Sequence, residues 1–289
     1  MPTDCCNSDS SFVQSVAQAV HHEPVSSRYF LLRMSCPEIA KRAQPGQFVM
    51  LACGEDIGGH SEPLLPRPLA LLDARDGQIE LLYFVCGRGT ETLRRTCESS
   101  LGRGAQYGAK FRIIGPLGRG FTPLDNVDVH VALGGGSGVA PLVYFFRRYA
   151  QGNNWHLILA ARSANQLARH DVVAAPGSMH VTTDDGTDGV KGTAVDALEA
   201  LLNSSLKGKR VGIYAAGPEP MMRGAAAIAR SLKLPAAVSL EARMACGVGV
   251  CRACVVDGVS PHHKTGLRRR TVCQDGPVFN LDELAGWNG

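Results

Sequence analysis

Residues 127–142 read VDVHVALGGGSGVAPL, and this stretch decides the fold of the central part of the chain. Apolar and polar residues alternate up to Leu133, which predicts a strand, and an apolar run from about Val139 predicts a helix. A Gly-rich turn between a strand and a helix is typical of α/β sheets, in which the helix N-terminus attracts phosphate groups. The stretch therefore predicts a parallel sheet that binds a nucleotide pyrophosphate.

The turn departs from the G-x-G-x-x-G dinucleotide fingerprint. Counted from Gly134, the sixth position is Val139, and counted from Gly136 it is Pro141. The acidic ribose-binding residue expected after the next strand is also absent, because Arg162 follows that strand. A merely tight strand-to-helix turn therefore stays open as the alternative, and the choice between NAD and NADP stays open with it.

The same strand, loop and helix order continues towards the C-terminus, as α/β folds require. Strands are predicted at residues 155–161, 179–183 and 210–215, with helices at about 194–206 and 220–231. A second turn, YAAGPEPM at residues 214–221, places Gly217 where close backbone approach is needed and Pro220 near a helix start. A simple corner between strand and helix is the alternative there.

The first third of the chain is rich in short β-type runs separated by turn residues, which favours a small antiparallel barrel. These runs lie at residues 27–34, 46–52, 69–72, 79–85 and 109–114. We expect the boundary between the barrel and the α/β region near residues 123–128.

Near the C-terminus, four cysteines show the C-x4-C-x2-C…C spacing of plant-type [2Fe–2S] ligands. They are Cys246, Cys251, Cys254 and Cys273. Gly247 and Gly249 suit a loop that wraps a cluster, because glycine takes positive φ and leaves room for N–H groups to face the sulfurs. A structural zinc site and disulfides are the alternatives. The remaining thiols lack ligand spacing and are interpreted as core or tail residues: Cys5, Cys6, Cys36, Cys53, Cys86 and Cys97.

Composition fits an enzyme of more than one domain, since 289 residues exceed the usual size of a single core. No apolar run approaches the roughly 20 residues that span a bilayer, and no secretory signal is visible after Met1, so we expect a cytoplasmic protein without a membrane partner. The net charge is only +4. The short basic run at residues 268–270, with Lys264 nearby, is interpreted as a solvated loop, and no nucleic-acid partner is expected.

Three further motifs, read with the two glycine-containing turns, resemble the ferredoxin–NADP reductase superfamily: RPLA at 67–70, GRGT at 87–90 and GPLGRGF at 115–121. The resemblance implies β plus α/β architecture, with a flavin-binding antiparallel barrel, a nucleotide-binding parallel sheet and a C-terminal [2Fe–2S] module. It implies FAD contacts for Arg67, Pro68, Leu69, Ala70, Leu82, Tyr83, Phe84, Gly89 and Thr90, and NAD contacts for Gly135, Gly136, Gly138, Ala140, Pro141, Gly217 and Pro218.

The strings SLEARMACGVG at 239–249 and VCQDGPVF at 272–279 narrow the resemblance, over about residues 10–285, to the electron-transfer subunits of class 1B dihydroorotate dehydrogenase. The implied domains are a barrel at 10–123, an NAD-binding domain at 124–238 and a cluster module at 239–289. The implied function is a relay in pyrimidine biosynthesis from an FMN-containing catalytic subunit, in a heterotetramer, through the cluster and FAD to NAD⁺. No side chain is assigned a catalytic role in proton transfer.

This sequence departs from that family at three places. Ala70 stands where R-P-x-S is usual, Ala216 stands where many relatives carry cysteine, and eighteen residues separate Cys254 from Cys273. The long interval is interpreted as a lengthened surface loop, with His262 and His263 as a less favoured Rieske-type ligand pair. The functional alternatives are a stand-alone NAD(P)H reductase that serves an oxygenase, ferredoxin, sulfhydrogenase-type or transhydrogenase partner, and a zinc-stabilised nucleotide-binding regulator.

Overall fold

The fold is known from a computed structural model, which describes residues 12–54, 63–259 and 266–287. The strands are β1 (Val13–Pro24), β2 (Tyr29–Ser35), β3 (Phe48–Leu51), β4 (Arg67–Arg75), β5 (Gln78–Phe84), β6 (Lys110–Leu117), β7 (Val129–Gly135), β8 (Trp155–Ala161), β9 (Ser178–Thr183), β10 (Val190–Lys191), β11 (Val211–Ala216), β12 (Ala236–Ser239), β13 (Val255–Val259), β14 (Leu267–Thr271) and β15 (Val278–Asn280). The α-helices are α1 (Pro37–Arg42), α2 (Arg88–Leu101), α3 (Val139–Tyr149), α4 (Ala194–Asn203) and α5 (Glu219–Ser231).

The first six strands form a closed antiparallel barrel in the order β1-β2-β5-β4-β3-β6. Closure pairs β1 with both β2 and β6, so the barrel has no open edge. Its interior is filled by fully buried side chains such as Leu32, Phe111 and Ile113. The predicted N-terminal barrel is confirmed.

The second sheet has the order β10-β9-β8-β7-β11-β12-β15. All its pairs are parallel except the last, in which β15 runs antiparallel to β12. Helix α3 packs in one hydrophobic cluster on this sheet, and α4 and α5 pack in another. The predicted parallel sheet is confirmed. Within the described ranges, no helix has the length and apolar character needed to cross a bilayer.

Helix α3 also joins the sheet to the barrel. Arg147 places Nη1 3.1 Å from a carboxylate oxygen of Asp73 and 3.5 Å from one of Glu80, both of which are buried in the barrel. The hydroxyl of Tyr144 donates to the backbone oxygen of Ala43 at 3.1 Å. Because buried charges are costly unless paired, this network fixes the helix on the barrel and sets the barrel close to the ends of the strands of the sheet.

The C-terminal segment shares its core with the sheet. Phe279, Leu281 and Leu284 lie in one hydrophobic cluster with Val238 of β12 and Ala229 of α5. The barrel ends with β6 at Leu117 and the sheet begins with β7 at Val129. The predicted division into three domains remains a proposal.

The interpretation of residues 268–270 as a loop is wrong. These arginines lie on β14, which pairs antiparallel with β13. Backbone hydrogen bonding to β13 explains the difference, because it orders a polar strand that has no hydrophobic alternation of its own. His262 and His263, the less favoured ligand pair, and Lys264, next to the basic run, lie outside the described residues.

Glu283 ties the barrel to the C-terminal segment. Its carboxylate accepts hydrogen bonds from the guanidinium of Arg119, which follows β6. It also forms an ion pair with Arg270 on β14 at 3.3 Å. Burial opposes ionisation of this carboxyl, but the hydrogen bond from Arg119 and the backbone N–H of Asn280 bring its pKa below the ordinary value of 4.5.

Glu283→Gln should therefore lower the free energy of unfolding at neutral pH, by about 1 kcal/mol for a partly exposed charged hydrogen bond. A lowered folded-state pKa stabilises above the unfolded-state pKa, and this contribution is lost as the pH falls through the folded value. Denaturant titrations of both proteins should converge as the pH falls below 4.5. Glu199→Gln, at an exposed position of α4, is the matched control, and a difference independent of pH would contradict the assignment.

Candidate functional site

A cavity of about 310 Å³, here called the barrel cavity, lies between the barrel and the sheet. Strands β4 and β5 form one wall, and the turns after β7 and β11 form the other. The predicted flavin residues that line it are Arg67, Pro68, Leu69, Ala70, Leu82, Tyr83, Phe84 and Thr90; the predicted nucleotide residues that line it are Gly138, Pro141 and Gly217. Pockets of roughly 300–1,000 Å³ with mostly apolar walls are typical of cofactor sites.

One end of the barrel cavity suits a phosphate group. The guanidinium of Arg67 lies over the first turn of α2, so close that a Cβ atom on Gly89 would stand 2.7 Å from Nε of Arg67. No side chain caps the start of this helix at Gly87. A cation beside free N–H groups of a helix N-terminus is a strong anion site. Gly89 is thus not itself in the cavity lining but leaves the space that Arg67 occupies.

The barrel cavity therefore fits a flavin nucleotide: an apolar space for a ring system and a cationic end for its pyrophosphate. Thr90 supports that end, since its hydroxyl donates to the backbone oxygen of Gly87 at 3.2 Å and accepts from the backbone N–H of Cys86 at 3.1 Å. Ala70 provides no hydroxyl, so backbone groups and Arg67 are left to hold the polar part of the ligand.

A second cavity of about 440 Å³, here called the sheet cavity, lies at the carboxyl ends of β7, β8 and β9. The predicted nucleotide residues in its lining are Gly135, Gly136 and Pro218. Ala140 lines neither cavity, because it lies on α3 and its side chain is fully buried in the hydrophobic core. The position agrees with the rule that ligands of open α/β sheets bind at the carboxyl ends of strands.

The two glycine-containing turns touch each other at the boundary between the cavities. Gly217 has φ +144, and a Cβ atom there would stand 2.7 Å from the backbone oxygen of Gly135. A side chain at Gly138 would collide with the backbone oxygen of Ala216. Glycine is thus required at both turns for the close approach that joins them, which the alternative of two independent corners does not explain.

Several polar residues of the cavity walls have no role that follows from a sequence motif. Arg162 and Asp184 line the sheet cavity, and Glu241 lines the barrel cavity. Tyr29 reaches the sheet cavity from β2, with its hydroxyl 2.8 Å from the position of a Cβ on Gly136. Burial raises the pKa of both Tyr29 and Glu241. Arg162 and Asp184 directly follow β8 and β9, so a sequence search at the ends of the predicted strands could have found them. Tyr29 reaches the cavity only because the barrel packs on the sheet.

The four predicted cluster ligands come together in one loop and the segment that returns to it. Gly247 and Gly249 have φ +72 and +82, as predicted for a loop that wraps a cluster. Cys246 Sγ accepts hydrogen bonds from the backbone N–H groups of Val248 and Cys251, each at 3.4 Å. Although burial opposes ionisation, these bonds lower the pKa of Cys246 to about 7.

The returning segment is held in the same way. Cys273 Sγ accepts from the N–H of Gly249 at 3.2 Å, and Cys254 Sγ accepts from the N–H of Cys273 at 3.5 Å. Burial and the neighbouring thiol of Cys254 raise the pKa of Cys273 to about 12. Backbone N–H groups aimed at thiolate sulfurs are a feature of iron–sulfur sites, where they tune the potential.

Cys251 donates its backbone N–H to Cys246 Sγ within the loop, and Cys273 donates its backbone N–H to Cys254 Sγ. In the described ranges, no group of three or more metal-binding side chains is arranged for one ion. The C-x4-C-x2-C…C spacing of these cysteines fits a centre of two metal atoms with two thiolates each better than the paired C-x2–4-C knuckles of a zinc site. The described cysteines are all free thiols, so the disulfide alternative gains no support.

A flavin-type barrel, a nucleotide-type sheet and a binuclear thiolate loop define the class of electron-transfer proteins with the ferredoxin–NADP reductase fold. Among solved structures, the chain is similar to the NADH-dependent reduced ferredoxin–NADP oxidoreductase, studied for flavin-based electron bifurcation, with TM-score 0.73 and 27% identity over 94% of this chain and 90% of that one. The ferredoxin reductase of carbazole 1,9a-dioxygenase has the same fold, with TM-score 0.55 and 18% identity over 77% and 65% of the two chains.

Residues 241–285 match the iron–sulfur cluster binding domain of dihydroorotate dehydrogenase B. The electron transfer subunit of dihydroorotate dehydrogenase B (NAD(+)) from Desulforamulus reducens is 34% identical over 260 residues, 88% of this chain and 92% of the relative. Its counterpart from Geobacillus kaustophilus is 35% identical over 266 residues, 90% and 94% of the two chains. The chain belongs to the family of these electron transfer subunits. The predicted family, fold class and oxidoreductase assignment are confirmed.

Proposed function

We propose that this chain transfers electrons from an FMN-containing catalytic subunit of dihydroorotate dehydrogenase to NAD⁺ in pyrimidine biosynthesis. The electrons pass through a [2Fe–2S] cluster and FAD. Family membership supports the overall role, and the two cavities and the cysteine spacing support the cofactor set. The direction of physiological electron flow follows from the proposed coupling to dihydroorotate oxidation.

A single observation carries the relay. Residues 239–242 and Met244 form part of the wall of the barrel cavity, and Cys246 follows two residues later. Gly247 then packs so tightly on Met50 and Leu117 of the barrel that a side chain there would collide with Met50. The cluster loop is therefore built directly onto the wall of the flavin cavity, which keeps the two electron carriers close.

When bound, the flavin exchanges electron pairs with nicotinamide and single electrons with the cluster. The chain's own residues bind and orient the partners of this exchange. We assign Arg67 and the start of α2 to the flavin pyrophosphate, and Gly135 and Gly136 to the nucleotide pyrophosphate. Gly138, Pro141 and Gly217 lie where the two cavities meet and leave room for ring stacking. Proton transfer is assigned to no side chain of this chain.

We place the complex in the cytoplasm as a heterotetramer with two copies of each subunit. We further propose that the catalytic subunit docks over the cluster loop, where Cys251 is exposed while Cys254 and Cys273 are buried. The cluster site thus faces the proposed partner on the side of the exposed Cys251 and the flavin cavity on the other side. This arrangement suits electron transfer from the partner to the flavin.

The test mixes the anaerobically purified chain with the FMN-bearing catalytic subunit of the same organism and measures dihydroorotate-dependent reduction of NAD⁺. The chain alone should contain about one FAD and two iron atoms, with matching labile sulfide. NAD⁺ reduction should require both proteins, and light scattering of the mixture should give the mass of two copies of each.

Zinc without labile sulfide would overturn the cluster assignment. No NAD⁺ reduction by the fully loaded pair would overturn the proposed partner. In that case the similarity to the ferredoxin–NADP oxidoreductase favours the second candidate, a reductase that uses NAD(P)H to reduce a ferredoxin or an oxygenase component. Reduction of an added ferredoxin by NADH would then be the diagnostic activity.

A further inference from the structure

The two-stranded hairpin β13–β14, here called the arginine hairpin, grows directly out of the cluster site. Its first strand begins at Val255, immediately after Cys254, and its second ends at Thr271, two residues before Cys273. Val255 pairs with Thr271 and Val259 pairs with Leu267, so the register is regular along the described length. The position of the hairpin is therefore fixed by two cluster ligands at its base.

The hairpin has three consecutive arginines, and only one of them forms a largely buried ion pair within this chain. Arg270 points inward and pairs with Glu283 at 3.3 Å. Arg269 pairs with Asp257 on the opposite strand at 3.3 Å, and both side chains are more than half exposed. Arg268 is exposed and has no acidic partner among the described residues. An exposed ion pair contributes little to stability, so the outer arginines are not explained by folding.

The cluster loop and the hairpin, which join at Cys254, expose both apolar and arginine side chains. Val250 is 80% exposed in the cluster loop, next to the exposed ligand Cys251. Arg252 is also exposed, and Val259 and Leu267 add exposed apolar area on the hairpin. Apolar side chains surrounded by arginine, with few acidic groups, are typical of docking surfaces.

We propose that Val250 and the arginine hairpin form the docking surface for an acidic face of the catalytic partner, with Arg268 and Arg269 paired to its carboxylates. The inference rests on the proposed function, and it adds the charge of the partner and the element that recognises it. A cationic arm fixed beside the cluster would steer an acidic partner so that its own electron carrier approaches Cys251. Nucleic acid, which would also bind exposed arginines, is one outcome of the test.

The double variant R268E/R269E tests the charge. Its association rate with the catalytic subunit should fall about tenfold or more at low ionic strength, and the difference should shrink as salt is added. Iron, labile sulfide, FAD and NADH-dependent dye reduction should match those of the unchanged chain. R103E/K110E reverses two exposed charges on the barrel and should leave association unaffected.

The variant R268K/R269K tests the partner's chemistry. It keeps the charge but supplies primary amines, which a carbodiimide joins to carboxylates as amides with loss of water. Cross-links between positions 268 or 269 and acidic residues of the catalytic subunit are expected, identified by mass spectrometry. The inference is overturned if R268E/R269E associates as the unchanged chain does, if the cross-links form only between copies of this chain, or if the hairpin binds an oligonucleotide but not the subunit. If the unchanged chain binds no dehydrogenase subunit at all, the proposed function itself fails.

Discussion

Cys251→Ser is expected to abolish the visible spectrum of the iron–sulfur cluster while FAD stays bound. Loss of an outer contact of a metal site typically lowers metal affinity or activity 10- to 100-fold, and loss of a ligand itself has a larger effect. Electron transfer to the protein partner should therefore fall by more than about 100-fold. NADH-driven reduction of a small dye should persist, because the barrel cavity and the sheet cavity do not include Cys251. Absorbance, iron content and the two activities are the measurements.

Cys86→Ser is the control for the cluster spectrum alone, because Cys86 is the other exposed thiol of the described residues and lines the barrel cavity, not the cluster loop. This variant should retain the cluster spectrum. If folded Cys251→Ser protein with bound FAD lost dye reduction and partner reduction equally, a linear path from nicotinamide through flavin to cluster would be excluded.

Arg67→Ala should weaken FAD binding. Hydrogen bonds to charged groups are worth about 1.5–3 kcal/mol, which corresponds to a loss of roughly 10- to 100-fold in affinity. The physical reason is that the helix N-terminus of α2 alone must then hold the pyrophosphate. Fluorescence titration of the apoprotein with FAD measures the change, and the iron content should stay the same.

Arg67→Lys keeps a cation without the planar fork and should recover part of the affinity. Arg95→Ala, at a highly exposed position of the same helix, should not change it. Unaltered FAD affinity in Arg67→Ala would remove this arginine from the flavin site and leave the barrel cavity without its anion-binding end.

The fold could be predicted where the hydrophobic pattern is strong, as in the apolar run of β5 and the alternating residues of β7, and not where distant pairing supplies the order. Strand β1 was missed because its buried residues include small alanines, Ala17 and Ala19, between polar positions. Its hydrogen bonds come from β2, which follows it directly in a hairpin, and from β6, which is far away in sequence. Strand β15 has only three residues and exists because β12 offers an edge.

Helix α2 was missed for a different reason. It starts beside glycines and carries few apolar residues, so a hydrophobic pattern does not show it. Arg94 instead pairs with Glu91 at 2.8 Å and with Glu98 at 2.6 Å along the helix surface. Such (i, i+3) and (i, i+4) charge pairs stabilise helices and were the available signal.

The residues of the candidate site likewise differ in how far the sequence could predict them. The four cluster cysteines follow from spacing alone, because three of them share one short loop. The lining of the cavities by Tyr29 and Glu241 depends on how the barrel rests on the sheet, and no local pattern encodes that arrangement. Departures such as Ala70 were visible in the sequence, but their surroundings were not.

Strand β15 also constrains how such a protein could gain or lose its cluster during evolution. Ala237, Val238 and Ser239 of β12 are paired on this side by Asn280, Phe279 and Val278. A chain ending before residue 241 would leave that edge open, and open edges recruit strands from other molecules. The cysteine-bearing segment therefore cannot be removed by itself without uncovering the edge of β12, and a chain without it would need another cover for that edge.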